Sequence, residues 1–392
     1  MTAIHHFIPS LLRGDGTGNN ARAMAQRINE LGIDSDFFVQ EDKTGEGHRH
    51  YSDYPKLAKP GDILVYHLAT ASEIPAFLAS RAEPVVVVYQ NLTPARYFER
   101  YDTLASVGQR RGKEELALLA DKAIVGIAPS SFNCGDLEAS GFREVIKVPI
   151  IFDPADFMGR SDDAADAALA RPERRGFSSW LFVGRLVPNK AQERLIMALH
   201  AHRELYGDNV ILHLVGRPSY PSYVDSLYEL TVRLRLQDRV NFVMGVTPAE
   251  LASFYRASTL FISASEHEGF CMPIVEALFH GLPVVAYDAT AVPETLGIGG
   301  VHIKDRDPVA MATWAEAITS SAALRKRLLG LAKARLDEVS PVATIPLLDA
   351  ALKRILEITD SPLPNFAAPS SLAIRSQAVL ASHLGASLRA RD

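Results

Sequence analysis

Cysteine is nearly absent from this chain, with two residues in 392, Cys134 and Cys271. Two thiols cannot build a disulfide framework, and neither lies in a C-x-x-C, so a reducing compartment is expected. Long apolar runs are also missing. No stretch reaches the ~18 apolar residues of a membrane span. The opening "MTAIHHFIPSLLRGDG" has neither a charged n-region nor a long apolar core, so it does not read as a signal peptide. An excess of positive charge is lacking too. The formal net charge is −5, which gives no basic field for nucleic acid. The expectation is a soluble, cytoplasmic protein without a nucleic-acid partner, and contact with the inner face of a membrane stays compatible with it.

What the chain does have is apolar residues, 47% of the total, and 392 positions. That is too long for one ordinary core and suits two domains. Short apolar runs alternate with helix-like stretches. In the first half the strand-like runs are 3–8, 36–40, 62–68, 84–90, 123–128 and 144–150. In the second half they are 179–185, 209–216, 239–245, 259–264, 282–288 and 300–304. They are apolar throughout rather than alternating, as parallel strands covered on both faces are. A charged, alanine-rich pause at 153–177 reads as a linker. Two doubly wound α/β domains follow, 1–152 and 178–340, with a helix and tail at 341–392 that could return to the first domain. Such sheets bind ligands beyond the carboxyl ends of their strands, so a site in a cleft between the domains is expected.

The chemistry concentrates in "SEHEGFCMPIVEALFHGLPVVA" (265–286). It reads as loop, helix, glycine turn and strand, with Pro273 at the first helical position and Gly281 just past the last. Glu266, Glu268 and Glu276 fall within eleven residues. Glu276 alone could simply offset the helix dipole, but three neighbouring carboxylates repel one another. A ligand rich in hydroxyls would relieve that. A carboxylate accepts two hydrogen bonds from a vicinal diol, and backbone N–H groups of 268–272 at a helix start can meet phosphate. Hydroxyls and diphosphate together describe a nucleotide sugar.

The spacing of Glu268 and Glu276 in "EGFCMPIVE" resembles the E-x(7)-E signature of the family 4 retaining glycosyltransferases, also called glycosyl transferases group 1. The flanking "GLPVVAYD" and "VPET" (292–295) are similar to that family's run, as is "LFVGRLVPNKAQERLI" (181–196). The resemblance covers about 179–337. It implies a GT-B fold, an acceptor-side first domain and a donor-side second domain facing across a cleft. It further implies transfer of a sugar from a nucleotide-sugar donor to an acceptor hydroxyl with retained configuration, in polysaccharide or glycoconjugate synthesis, with no metal and no separate cofactor. In that reading Arg185 and Lys190 meet the diphosphate, Glu276 holds the ribose, and Glu268 holds the transferred sugar. The catalytic candidates are thus Glu268, Lys190 and Arg185. Donor contacts add Gly16, Gly245, Gly269, Phe270, Cys271 and Glu276, with 244–246 near the base. The two cations also have an ordinary reading, as solvated charges at a strand–helix junction.

The first half is less specific. Gly14, Gly16 and Gly18 form a poor dinucleotide fingerprint, because Asn19 stands where a third glycine belongs. A turn capped by Asn19 or Asn20 explains the loop as well. "VVYQNLTPARYF" (87–98) resembles a family segment that commonly carries histidine where this chain has Gln90, and an amide cannot carry a proton charge. His67 remains as a candidate there, with a satisfied core histidine as the plainer reading. Arg110, Arg111 and Lys113 could receive a phosphorylated or membrane-held acceptor, such as a carbohydrate on a lipid carrier, or form a solvated helix face. Neither "DSD" (34–36) nor "DRD" (305–307) is placed as a metal–diphosphate site would require. Two rival functions stay open, a non-catalytic sugar-nucleotide-binding module and a dinucleotide-dependent oxidoreductase.

Overall fold

The computed structural model describes residues 2–11, 16–156, 162–169 and 176–389. The chain divides into two compact units. The first takes Met1–Glu99, Thr103–Asp153 and Val339–Gln377, and the second takes Arg100–Asp102, Pro154–Glu338 and Ala378–Asp392.

The first unit is built on seven parallel strands: β1 (Ile4–Ser10), β2 (Phe37–Glu41), β3 (Arg49–His50), β4 (Ile63–Leu68), β5 (Val85–Tyr89), β6 (Ala123–Ala128) and β7 (Val145–Lys147). Their order is β3-β2-β1-β4-β5-β6-β7. Strands β4 and β5 are buried along their whole length, which is why they read as continuous apolar runs. Ile63, Val65, Val86 and Val88 face Met24 and Ile28 on one side, together with Leu348, Leu352 and Ile355. Leu64, Tyr66, Val85 and Val87 face Leu78, Leu116 and Leu119 on the other. The sheet is therefore the middle of three layers, with one apolar core on each face.

The first helix runs Gly16–Glu30, so it begins before the asparagines rather than after them. Neither asparagine is a cap. Asn20 is buried inside the helix, where its side-chain oxygen accepts the Ile151 N–H at 3.3 Å. Gly32, at φ 78°, supplies the left-handed turn that ends the helix. Gly14 lies outside the described residues.

Residues Val339–Gln377 return to this unit. Helix Pro341–Ile358 sends Leu348, Leu352 and Ile355 into the core beneath β4 and β5. Arg27 clamps it through a bidentate pair with Asp349, at 2.8 and 2.7 Å. The next helix, Ser371–Arg389, docks at its start, where Gln26 donates to the Ser371 hydroxyl at 2.8 Å.

The second unit holds six parallel strands: β8 (Ser178–Val183), β9 (Val210–Val215), β10 (Val240–Val243), β11 (Leu260–Ser263), β12 (Val284–Tyr287) and β13 (Val301–Ile303). Their order is β10-β9-β8-β11-β12-β13. The stretch read as a linker is partly structured. It contains helix Asp163–Leu169, whose Asp166 accepts from Arg256 at 3.2 Å. Its residues 157–161 and 170–175 lie outside the described residues.

Candidate active site

The strand order of the second sheet reverses at β8. Strands β9 and β10 extend one way from it, and β11 to β13 the other. A crevice opens at such a switch point, beyond the carboxyl ends of the strands. The two most distinctive sequence segments leave from its two sides, one after β8 and one after β11.

After β8 the chain stays paired with β9. Gly184 N–H donates to Val215 O at 2.9 Å, and Leu186 N–H to Arg217 O at 2.9 Å. The backbones approach so closely that a Cβ on Gly216 would stand 1.8 Å from Gly184 O. This packing presents Arg185 to solvent, and no side-chain hydrogen bond ties its guanidinium to another described residue. Its carbonyl accepts from Gln192 at 2.9 Å. A short turn, Pro188–Lys190, then leads through Ala191 at φ 50° into helix Gln192–Tyr206, which has no side-chain cap.

After β11 the loop is bolted to this turn. Asn189 donates to His267 O at 3.0 Å, and Glu266 N–H to Asn189 O at 2.8 Å. Thr290 holds the middle of the loop. Its hydroxyl donates to Glu268 O and accepts from Glu268 N–H, both at 2.8 Å. Glu268 is thereby buried, and Lys190 Nζ meets its Oε1 at 2.5 Å. Cys271 follows at φ 72° as the uncapped start of helix Met272–Phe279. Burial first, then the Glu268 carboxylate, push the Cys271 thiol well above its ordinary range, so it is a neutral S–H. Met272, not Pro273, is the first helical residue, and Pro273 sits one place further in. A missing amide costs nothing at either position. Gly281, at φ 64°, closes the helix as the sequence suggests.

Both helices facing this crevice therefore start on a left-handed, non-glycine residue and lack a capping side chain. Such a residue costs roughly 1–2 kcal/mol. Neither start has the Ser, Thr, Asp or Asn that would otherwise satisfy the first N–H groups. A phosphate could do so instead.

The acids prove to have different surroundings. Glu266 pairs with Arg306 at 3.2 Å, Glu268 with Lys190, and Glu276 accepts the Tyr255 hydroxyl at 2.6 Å. The expectation that a ligand must relieve their repulsion is thus corrected, since protein groups already do. Glu276 remains half-buried, Gly269 and the Phe270 side chain are buried, and Gly245 is exposed at φ 73° beyond β10. Of the residues singled out in the sequence, Lys190, Glu268 and Cys271 come together. Asn189, Tyr255, Thr290 and Arg306 escaped sequence reasoning. Only Asn189, next to Lys190 in the chain, had a signal to find it by.

In the first unit Gly16 is exposed at its helix start, with open space around it. His67 is no accessible acid or base. It is fully buried beside His6, with His6 Nδ1 and His67 Nε2 2.8 Å apart and the rings stacked at 5.1 Å. Burial alone pushes His67 down to about 3, and burial followed by His67 pushes His6 well down. Below pH ~6.5 the unfolded chain gains protons that the folded pair refuses. Stability should therefore fall on acidification, by about 2 kcal/mol at pH 5 for His67 alone at 1.36 kcal/mol per pH unit. Urea unfolding at pH 7.5 and pH 5 checks this, and equal stabilities would show a hydrated pair. Gln90 directly follows β5, with its N–H on Leu68 O at 2.8 Å and its side-chain nitrogen buried without a partner among the described residues. Arg110 and Arg111 are engaged locally, with Glu99 and Ser106 and with Glu115 and the Ser72 carbonyl respectively, as on a solvated helix face.

Residues 171–333 match the sequence model of the family described as glycosyl transferases group 1. The match falls on one domain, the second unit. The crevice between β8 and β11 belongs to that domain. The chain is 30% identical over 249 residues to a D-inositol 3-phosphate glycosyltransferase of Geodermatophilus obscurus, covering 61% of this chain and 54% of that protein. For the corresponding protein of Streptomyces avermitilis the identity is 32%, covering 60% and 52%. The chain thus spans about half the length of these curated relatives. Among solved structures, Anabaena Alr3699/HepE in complex with UDP-glucose has a TM-score of 0.67 at 19% identity, covering 90% of this chain and 99% of that one. Sucrose-phosphate synthase (tll1590) from Thermosynechococcus elongatus has a TM-score of 0.71 at 17% identity, covering 91% and 100%. These likenesses concern the fold alone, that of the GT-B glycosyltransferases, in which the chain has two units each built on a parallel sheet.

Proposed function

We propose that this protein transfers a sugar from a nucleotide-sugar donor to an acceptor hydroxyl with retention of anomeric configuration and without a bound metal. The observation that carries this is the Lys190–Glu268 pair across the switch point of the second sheet, with Glu276 on the helix that follows. In the reaction the acceptor oxygen bonds to the anomeric carbon as the bond to the diphosphate oxygen breaks. The acceptor's proton leaves with the nucleoside diphosphate. Arg185 and Lys190 supply positive charge where the diphosphate develops negative charge, and the uncapped N–H groups after Cys271 add to it. Glu268 orients the sugar, and Glu276 receives the ribose hydroxyls. Glu268 pairs with Lys190, and the diphosphate would share that cation with it.

The acceptor in this reading is a hydroxyl of a carbohydrate, free or lipid-linked, as in polysaccharide or glycoconjugate synthesis. Among the described residues no helix is long and apolar enough to cross a membrane. We place the reaction in the cytoplasm, where contact with a membrane face would serve a lipid-linked acceptor.

UDP-glucose, bound in the Anabaena structure, is the first donor to test, in a thermal-shift panel with GDP-, ADP- and dTDP-sugars, since specific binding raises the melting temperature. Donor hydrolysis and transfer to sugar acceptors then separate an enzyme from a binding module. A hydrogen bond to a charged group contributes about 1.5–3 kcal/mol. Glu276→Ala should accordingly weaken donor binding roughly tenfold to a hundredfold by calorimetry on folded protein. Unchanged affinity would remove the ribose assignment.

A further inference from the structure

A carboxylate receives a diol well only when its plane is held. Helix Pro248–Ala257 enters β11, and helix Met272–Phe279 leaves it. Tyr255, in the last turn of the first, reaches across to Glu276 on the second, 2.6 Å from its Oε2. The tyrosine is completely buried. Its ring lies almost parallel to that of His280, with centroids 5.0 Å apart and planes at 6°, and it stacks on Phe261 at 6.5 Å. Packed in this way, the ring cannot turn its hydroxyl elsewhere. An ionised carboxylate offers about four lone-pair sites, so the bond from Tyr255 can fix its orientation while using only part of its accepting capacity. Both burial and the charge of Glu276 push the phenol well above its ordinary 10, which keeps it a donor throughout the physiological range.

We infer that Tyr255 is a positioning residue that holds the Glu276 carboxylate in the orientation needed to receive the ribose of a nucleoside diphosphate, an inference that rests on the donor site proposed above. A tyrosine present only to fill the core would serve equally well with its hydroxyl on a backbone carbonyl. Here the hydroxyl goes to the half-exposed acid on which ribose recognition depends, and aromatic rings on either side define its direction.

The test compares ribo- and 2′-deoxyribonucleotides. UDP, GDP and ADP are titrated calorimetrically against wild type, each beside its 2′-deoxy counterpart, and the tightest pair is carried to Tyr255→Phe and Glu276→Ala. Wild type should prefer the ribonucleotide, and Glu276→Ala should lose that preference. Tyr255→Phe keeps the ring stack. It should weaken the ribonucleotide roughly fivefold, as the loss of one ordinary hydrogen bond does, and leave the deoxynucleotide unchanged, so that the ratio collapses towards one. In steady state it should raise the donor KM more than it lowers kcat. Equal weakening of both nucleotides in Tyr255→Phe, with a lower melting temperature, would make the residue structural and overturn the inference. So would an undisturbed ribose preference. If wild type binds none of the panel, or Glu276→Ala keeps the ribose preference, the donor-site reading itself fails, and the inference with it.

Discussion

Replacing Asp349 with alanine should destabilise the first unit by roughly 3–5 kcal/mol, the range for breaking one side of a buried ion pair. Arg27 is 2% exposed and makes two parallel hydrogen bonds to Asp349. Without that carboxylate a permanently charged guanidinium stays in the core. Glu30, 3.6 Å from the Nη1 atom of Arg27, offers partial compensation and places the expected value near the lower bound. The pair joins a helix near the start of the chain to one near its end, 322 residues apart, so the loss should loosen the C-terminal segment first. Urea unfolding followed by far-UV circular dichroism measures the cost, and proteolysis after residue 358 reports the loosening. The double variant Arg27→Met/Asp349→Leu should recover most of the stability, because two apolar side chains can replace a buried pair. A loss below 1 kcal/mol in Asp349→Ala would show that water reaches Arg27 and that the helix is held by its apolar face alone.

The strands were legible because of how they are buried. Runs such as 63–68 and 85–89 have no exposed face, so composition alone marks them and their parallel pairing. The missed strand, Arg49–His50, is two residues long and exposed, so it leaves no such mark. Helix starts were harder. Asn19 and Asn20 look like caps, but the side chain of Asn20 serves a backbone amide 131 residues away. At 191 and 271 the chain uses left-handed alanine and cysteine, where local rules look for a capping residue or glycine. Spacing picked out Glu268 and Glu276 as a pair, since both lie in one short segment. It could not show that Lys190, 78 residues earlier, closes on Glu268. Nor could it show that a tyrosine on a buried helix face meets Glu276. Such partners are set by the crossing of chain segments at the sheet's switch point, and no local pattern encodes that.

Lys190→Ala should slow sugar transfer by about 10²–10³-fold, the typical effect of removing one preorganised electrostatic group from a reacting centre. Ground-state nucleotide binding should weaken less, by about tenfold, the lower bound for a hydrogen bond involving a charged group. The difference arises because the leaving diphosphate carries more negative charge in the transition state than in the bound donor, and a cation is worth most where charge develops. The variant has a second consequence inside the protein. Glu268 is 6% exposed, and with Lys190 gone it loses the only cation paired with it among the described residues. A buried carboxylate that has lost its cation is costly, so the variant should also unfold at a lower urea concentration than wild type. Lys190→Arg tests whether charge alone suffices. The planar fork of arginine should restore stability by pairing with Glu268, yet recover only part of the rate, because its donors occupy different positions. Single-turnover kinetics with the donor selected by thermal shift, beside urea unfolding of each variant, resolves these effects. A single-turnover rate for Lys190→Ala within twofold of wild type would remove Lys190 from the reacting centre and leave the pair with Glu268 as a bolt between the β8 and β11 loops.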